Sequence, residues 1–320
     1  MERYTTETVL AKALYGDVVL AVDTLTGSKV AIKRMHLDAA TMRTSIQGIP
    51  IAEDIVMEKQ VNRAVSGGSD GCHPYIMRML RDFEEDGMGH FVFEFCAGGE
   101  LFEQTLPMDT MAVARIFRQV VHAVKFLHDR GYVHRDISLE NVLLDANGSN
   151  AKLCDFGLAT TIDERSNHIV GKAFYMAPEM YLRQGYMPAP VDVWALGIML
   201  LILLTGAPPF ARANDSDNVF QYVKQHGITS VLRAWKVLHL VPLPALDLLE
   251  KMLVVDPTKR LSMDGLLHHP FLRENLHLVS MRGRKRMIVR KWLAKMRRRL
   301  HHMLRSVLPS MKNSPGVVGI

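Results

Sequence analysis

The chain has 320 residues, 48% hydrophobic and 22% charged, which excludes wholesale disorder and allows one large domain or two of ordinary size. Cys72, Cys96 and Cys154 are too few and too scattered for a disulfide framework or a cysteine-based zinc site, so a reducing compartment is expected. Charge is uneven: residues 273–320 hold 13 Lys+Arg against one acid, Glu274, whereas residues 1–272 are net acidic. Any nucleic-acid affinity would sit in that tail, and no specific nucleic-acid partner is expected.

The opening MERYTTETVL has no basic start followed by an apolar stretch, so no signal peptide is expected. Val18–Val22 and Lys29–Arg34 are β-prone runs, and the turn-rich Asp23–Ser28 joins them as a hairpin. Ala52–Val65 reads as a helix with a partial apolar stripe of Ile55, Val56, Met57, Val61 and Val65. Ser66–Cys72 reads as a loop, and Met77–Leu80 and His90–Phe95 as strands. After Ala97 the character turns helical, with Ala112–His128 and Val191–Leu204 as helices. The uncharged run Val193–Leu204 falls short of the ~20 residues a membrane span needs, so it is a core element. The expected fold class is α+β: a small β-rich lobe (1–96), a larger helical lobe (97–273) and a tail (274–320).

In that tail, Val289, Leu293, Met296, Leu300, Met303/Leu304 and Val307 recur at helical spacing, opposite Lys291, Lys295, Arg298, Arg299 and Arg305. Such basic amphipathic helices bind acidic membrane surfaces or calmodulin-like grooves. Packing against the large lobe and autoinhibition stay open as alternatives. Arg282-Gly283-Arg284-Lys285-Arg286 is a candidate nuclear-import patch. The expected location is cytoplasmic, with nuclear and peripheral-membrane sites as alternatives.

Short motifs follow in one order: Val30-Ala31-Ile32-Lys33 on a strand, His134-Arg135-Asp136 with Asn141, Asp155-Phe156-Gly157, Ala177-Pro178-Glu179, then Asp192-Val193-Trp194 and Arg260. Each alone is weak; the ordered set with these spacings is specific. On these residues the chain resembles a eukaryotic protein kinase of serine/threonine type, similar overall to calcium/calmodulin kinases, from about Tyr4 to Arg273. The resemblance implies a two-lobed fold, ATP and Mg²⁺ as cofactors, and a protein substrate.

Phosphoryl transfer spreads charge over phosphate oxygens, so its catalysis is mostly positioning and electrostatics. By resemblance, Lys33 holds the α- and β-phosphates, steadied by a helix carboxylate for which Glu58 is preferred over Glu53. Asn62 would then stand where an apolar spine residue is usual. Asp136 orients the attacking hydroxyl, and Asn141 and Asp155 supply hard oxygen ligands to Mg²⁺. Leu10, Val18, Ala31 and Leu143 match the adenine sandwich, Phe93 the gatekeeper, and Glu94 and Cys96 the hinge. Glu179 and Arg260 match a buried ion pair that anchors the activation segment. Asp192 matches the brace of the catalytic loop, and His134 matches a packed spine residue.

Two departures stand out. The glycine-rich frame reads Ala11-Lys12-Ala13-Leu14-Tyr15-Gly16-Asp17-Val18, with Ala11 and Ala13 in place of two of its three glycines; added methyl groups restrict φ and the approach to phosphate. The catalytic-loop position that is lysine in the family is Ser138, and the usual threonine before YxAPE is Lys172. Lys172 is therefore expected to supply the missing charge, with Ser138 making room. The rival reading is a catalytically impaired pseudokinase acting as a nucleotide-binding or scaffold module.

Ser138-Leu139-Glu140 and Tyr175 fit the serine/threonine side of the family. Glu100 and Glu140 match acidic positions that receive arginines preceding the acceptor. Arg135 allows regulation by activation-loop phosphorylation, with Ser166 nearest the usual place.

Overall fold

The computed structural model describes residues 2–44, 50–67, 72–182 and 184–273; the expected tail helix lies outside the described residues. Five strands, β1 (Tyr4–Ala13), β2 (Gly16–Asp23), β3 (Lys29–His36), β4 (Met79–Glu85) and β5 (Met88–Glu94), form one antiparallel sheet in the order β1-β2-β3-β5-β4. Side chains alternate across a strand, so the sheet carries two apolar clusters. One contains Tyr4, Val19, Ala21, Val30, Ile32 and Val92. The other contains Tyr15, Met35, Met79, Phe91 and Phe93, together with Ala40 from α1 (Leu37–Thr41).

Most element boundaries move by a few residues from the sequence reading, two of them for a clear local reason. The helix expected from Ala52 is α2 (Ile55–Ser66). Asp54 is its N-cap, and its carboxylate accepts from the N–H groups of Val56 and Met57. The strand expected at Met77 starts at Met79, because the Met77 N–H is spent on the Leu153 carbonyl, 2.9 Å away.

The larger lobe opens with α3 (Thr110–Asp129), followed by two short ribbons. These pair β6 (Tyr132–Val133) with β9 (Thr160–Thr161), and β7 (Val142–Leu144) with β8 (Ala151–Leu153). Helices α4 (Ala189–Thr205), α5 (Asn218–Ala234), α6 (Leu243–Met252) and α7 (Met263–Leu267) complete it. Every residue of α4 from Val191 to Thr205 is buried, as its uncharged run requires. The core cluster of this lobe also includes Val61 and Val65, so α2 packs on the helical lobe while it carries Glu58 toward the sheet.

Candidate active site

Lys33 lies on β3, and its ammonium donates to both Glu58 oxygens at 2.8 and 2.9 Å. Glu53 lies farther off, with its Oε2 4.0 Å from the ammonium, so Glu58 is the partner and Glu53 an additional carboxylate. The Asp155 Oδ1 is also 4.0 Å from Lys33. Burial alone would depress the Lys33 ammonium, but Glu58, Asp155 and Glu53 outweigh it and hold the group above its ordinary value. Burial pushes the Glu53 carboxyl up to about 7 against the opposing pull of Lys33. Asn62 keeps its odd place by donating its amide to the Glu58 carbonyl at 3.0 Å.

Below the sheet, the catalytic loop is fixed by Asp192 of α4. Its carboxylate accepts from the N–H groups of His134 and Arg135 at 2.9 Å each, and it is 2.9 Å from His128 Nε2. These bonds hold Arg135 at φ +64°, a left-handed value costly for a side chain of its size. Asp155 sits at φ +65°. The Asn141 amide donates to the Asp136 carbonyl (2.7 Å) and to its Oδ2 (2.8 Å), which directs the amide oxygen elsewhere as a ligand. Burial would raise the Asp155 carboxyl, but Lys33 and the Gly157 N–H hold it below its ordinary value. A hard oxygen set, the neutral Asn141 amide and the ionised Asp155 carboxylate, fits magnesium.

Three of the four positions expected to sandwich adenine are half-exposed where their neighbours are not. Val18, Ala31 and Leu143 keep accessible surface, while Val19, Ile32 and Val142 keep none. Leu10 is exposed at an irregularity of the β1–β2 register between Val9 and Ala11. Phe93 is buried beside Phe91. The Glu94 carboxylate accepts from the Arg78 N–H (2.9 Å) and from Lys152 of β8 (2.8 Å), which ties the hinge to the lower lobe. Cys96 is partly buried, and burial pushes its thiol up to about 11.

The glycine-poor loop is a tight hairpin. Strands β1 and β2 stay paired through Ala13 and Gly16, leaving Leu14 and Tyr15 at the turn. Gly16 is obligatory, because a Cβ there would lie 2.1 Å from the Arg34 carbonyl oxygen. Tyr15 is folded inward, buried against Met35 and Phe91, and its hydroxyl donates to the Glu53 carbonyl at 2.8 Å. The Asp54 N–H donates to the Gly157 carbonyl at 2.9 Å. The start of α2 is thus tied both to the hairpin and to the Asp155-Phe156-Gly157 turn.

Lys172 comes from the activation segment. Its backbone N–H donates to Asp136 Oδ1 (3.1 Å), and its ammonium donates to Asp136 Oδ2 (3.1 Å) and to Ser138 Oγ (3.0 Å). The segment is anchored by Arg260, which pairs with both Glu179 oxygens at 2.6 and 2.8 Å. Ser166 is not an open acceptor: it is buried, and its hydroxyl accepts from Arg135 Nη1 at 2.9 Å. Arg135 also donates to the Leu158 and Ala159 carbonyls. His134 is buried against Phe156, as expected of a packed spine residue.

Sequence reasoning missed three contributors: Tyr15, Glu53 as a second neighbour of Lys33, and His128. Asp54 in front of Ile55 was a readable cap signal that would have put Glu53 outside the helix. Nothing local marked Tyr15 or His128, because each works through a partner distant in the chain.

The sequence matches the protein kinase domain family over residues 4–272. It is 34% identical over 278 residues to calcium-dependent protein kinase 9 of Arabidopsis thaliana, covering 85% of this chain and 48% of that protein. It is 37% identical over 228 residues to calcium-dependent protein kinase 21 of the same plant, covering 69% and 41%. It is 34% identical over 272 residues to calcium-dependent protein kinase 19 of Oryza sativa subsp. japonica, covering 83% and 48%. The chain spans about half the length of the curated relatives it matches. A five-stranded lobe over a helical one, with Lys33, Asp136 and Asp155 gathered between them, agrees with that match, and the chain belongs to the protein kinase domain family.

Proposed function

We propose that the chain is an ATP-dependent serine/threonine kinase that phosphorylates protein hydroxyls near basic residues. The observation that carries this reading is the convergence of the bidentate Lys33–Glu58 pair, Asp155 and the Asp136–Asn141 unit on one cleft. Lys33 binds and orients the phosphates, and Glu58 holds its side chain in place. Asp136 accepts the hydrogen bond of the attacking hydroxyl. Bound at Asn141 and Asp155, magnesium supplies charge neutralisation on the phosphates. Val18, Ala31 and Leu143 offer the apolar surface a purine ring needs.

Glu100 and Glu140 support the basic-substrate reading. Burial, with Glu103 and Glu140 nearby, pushes the Glu100 carboxyl up to about 7, and Glu140 Oε2 is buried with no hydrogen-bond partner among the described residues. A guanidinium would relieve both. One observation favours the pseudokinase alternative: the closed Ala13–Gly16 hairpin leaves the phosphates a less adaptable roof. Binding and transfer, measured side by side, separate the two readings. Wild type is expected to bind ATP with magnesium in a calorimetric titration and to phosphorylate an arginine-rich peptide. Asp136→Ala should bind but turn over about 10²–10⁴-fold more slowly. Binding without transfer by wild type would leave the scaffold reading.

The matched relatives are named for calcium dependence, and the basic amphipathic stretch within 282–308 has the chemistry of a calmodulin target. We extend the proposal to a calcium-loaded, calmodulin-like partner for that stretch. Calcium-dependent capture of the full chain by calmodulin checks it; capture only by anionic vesicles would replace that partner with a membrane surface.

A further inference from the structure

We infer that Lys172 is the cation that contacts the transferred phosphoryl group, relocated from the catalytic loop to the activation segment, so that the segment itself carries part of the catalytic machinery. The inference rests on the kinase reading above and deepens it.

Three observations carry it. The ammonium of Lys172 is within one hydrogen bond of Asp136 Oδ2 and of the Ser138 hydroxyl, so it stands at the place that a lysine at 138 would have served. Ser138 is completely buried, and a longer side chain there would collide with the ammonium already present. Gly171 makes the approach feasible: it has φ +94°, and a Cβ on it would lie 2.7 Å from the Arg135 carbonyl oxygen and 3.2 Å from Asp136 Oδ1. The backbone N–H of Lys172 then fixes one Asp136 oxygen while its ammonium meets the other. Burial would lower the Lys172 ammonium, but Asp136 and Glu140 outweigh it, so the charge persists in place.

The chemistry needs a cation at this point. The substrate hydroxyl oxygen bonds to the γ-phosphorus while the bond from that phosphorus to the β–γ bridging oxygen breaks, and ADP leaves with the electron pair. The hydroxyl proton passes to Asp136 or to a phosphoryl oxygen. Because the attacking oxygen is hydrogen-bonded to Asp136, the phosphoryl oxygens pass within reach of an ammonium that shares that carboxylate. A preorganised donor at a developing charge is worth roughly 10²–10³ in kcat.

Contacts among the chain's own residues anchor the segment at both ends. Arg135 is satisfied by Ser166 and two carbonyls, and Arg260 holds Glu179 at the far end. With the segment held at both ends, the Lys172 ammonium is kept beside Asp136 and Ser138.

The test is a charge-swap cycle in the full-length chain, read by steady-state transfer to an arginine-rich peptide, nucleotide calorimetry and melting temperature. Lys172→Ala and Lys172→Thr are expected to lower kcat by about 10²–10³-fold, with ATP affinity changed less than about twofold. Ser138→Lys alone should also impair transfer, by crowding two ammoniums. The Ser138→Lys/Lys172→Thr double variant should recover to within about tenfold of wild type. Recovery of kcat distinguishes a catalytic cation from a structural one, because a lost packing contact is not restored by a lysine elsewhere. Undiminished kcat in Lys172→Ala, or a double variant no better than Lys172→Thr, overturns the inference and leaves the kinase reading standing. Absence of transfer by wild type overturns both.

Discussion

Two of the places where this chain leaves the kinase pattern differ in kind. At Ser138 and Lys172 a charge absent from one position stands at another 34 residues away, and the two side chains meet at 3.0 Å. At Ala11 and Ala13 nothing returns the lost glycine freedom; the hairpin is instead fixed, with Tyr15 tucked beneath the sheet. Charge acts through space, so a cation can be supplied from any element that reaches the site. Backbone freedom is local, and its loss can be met only by changing how the segment is held.

The comparison can be broken on either side. The largest effect is expected at the anchor of the activation segment. Glu179→Ala leaves the Arg260 guanidinium, which is fully buried, without its carboxylate. A loss of about 3–5 kcal/mol is expected in denaturant unfolding, with transfer falling as Lys172 loses its support. A stable variant with full turnover would mean that the segment needs no anchor. Next is Tyr15→Phe, which deletes one hydrogen bond to the Glu53 carbonyl. The expected cost is about 0.5–1.5 kcal/mol, and KM for ATP should rise about two- to tenfold as α2 loosens. Unchanged KM and melting temperature would make the inward tyrosine mere filler.

The smallest effect is a pH dependence at Glu100. Its folded carboxyl is raised from 4.5 to about 7 by burial and by its acidic neighbours. The folded chain thus holds this proton where the unfolded chain has released it, so its stabilising contribution is full below about 4.5 and is lost as pH rises through about 7. Arginine recognition runs the other way, because it needs the ionised form. KM for an arginine-bearing peptide should fall as pH rises from 6 to 8 in roughly the range of that titration, and Glu100→Gln should flatten the slope. Parallel pH profiles for the two enzymes would remove Glu100 from substrate binding.

The sequence was most readable where one residue type has one physical use. Lys33 on a strand, Asp136 with Asn141 five positions on, and Asp155 before Phe156-Gly157 all landed in one cleft because their spacing is tied to strand and loop lengths. The Lys172–Ser138 juxtaposition was also legible, since a missing charge and an extra one are both visible as letters. Glu53 and Glu58 were harder to separate, being five residues apart on what read as one helix; the cap at Asp54 separates them. Ser166 read as the phosphorylation candidate nearest the usual place because a hydroxyl carries no sign of burial, whereas the fold spends it on Arg135. The brace from His128 to Asp192 spans 64 residues, and no local pattern encodes such a contact.

Helix α2 is pinned at three points along its length to parts outside its own lobe. Asp54 holds the Gly157 carbonyl, Gln60 donates to the Tyr132 hydroxyl at 2.8 Å, and Arg130 donates to the Ala64 carbonyl at 3.1 Å. With Glu58 between the first two pins, the rod, about 18 Å long at 1.5 Å per residue, cannot swing without stretching bonds at both extremities. A wedge driven between Arg130 and Ala64, at the opposite end of α2 from Asp54, would be felt at the ammonium of Lys33 as lever travel about a fulcrum near Gln60.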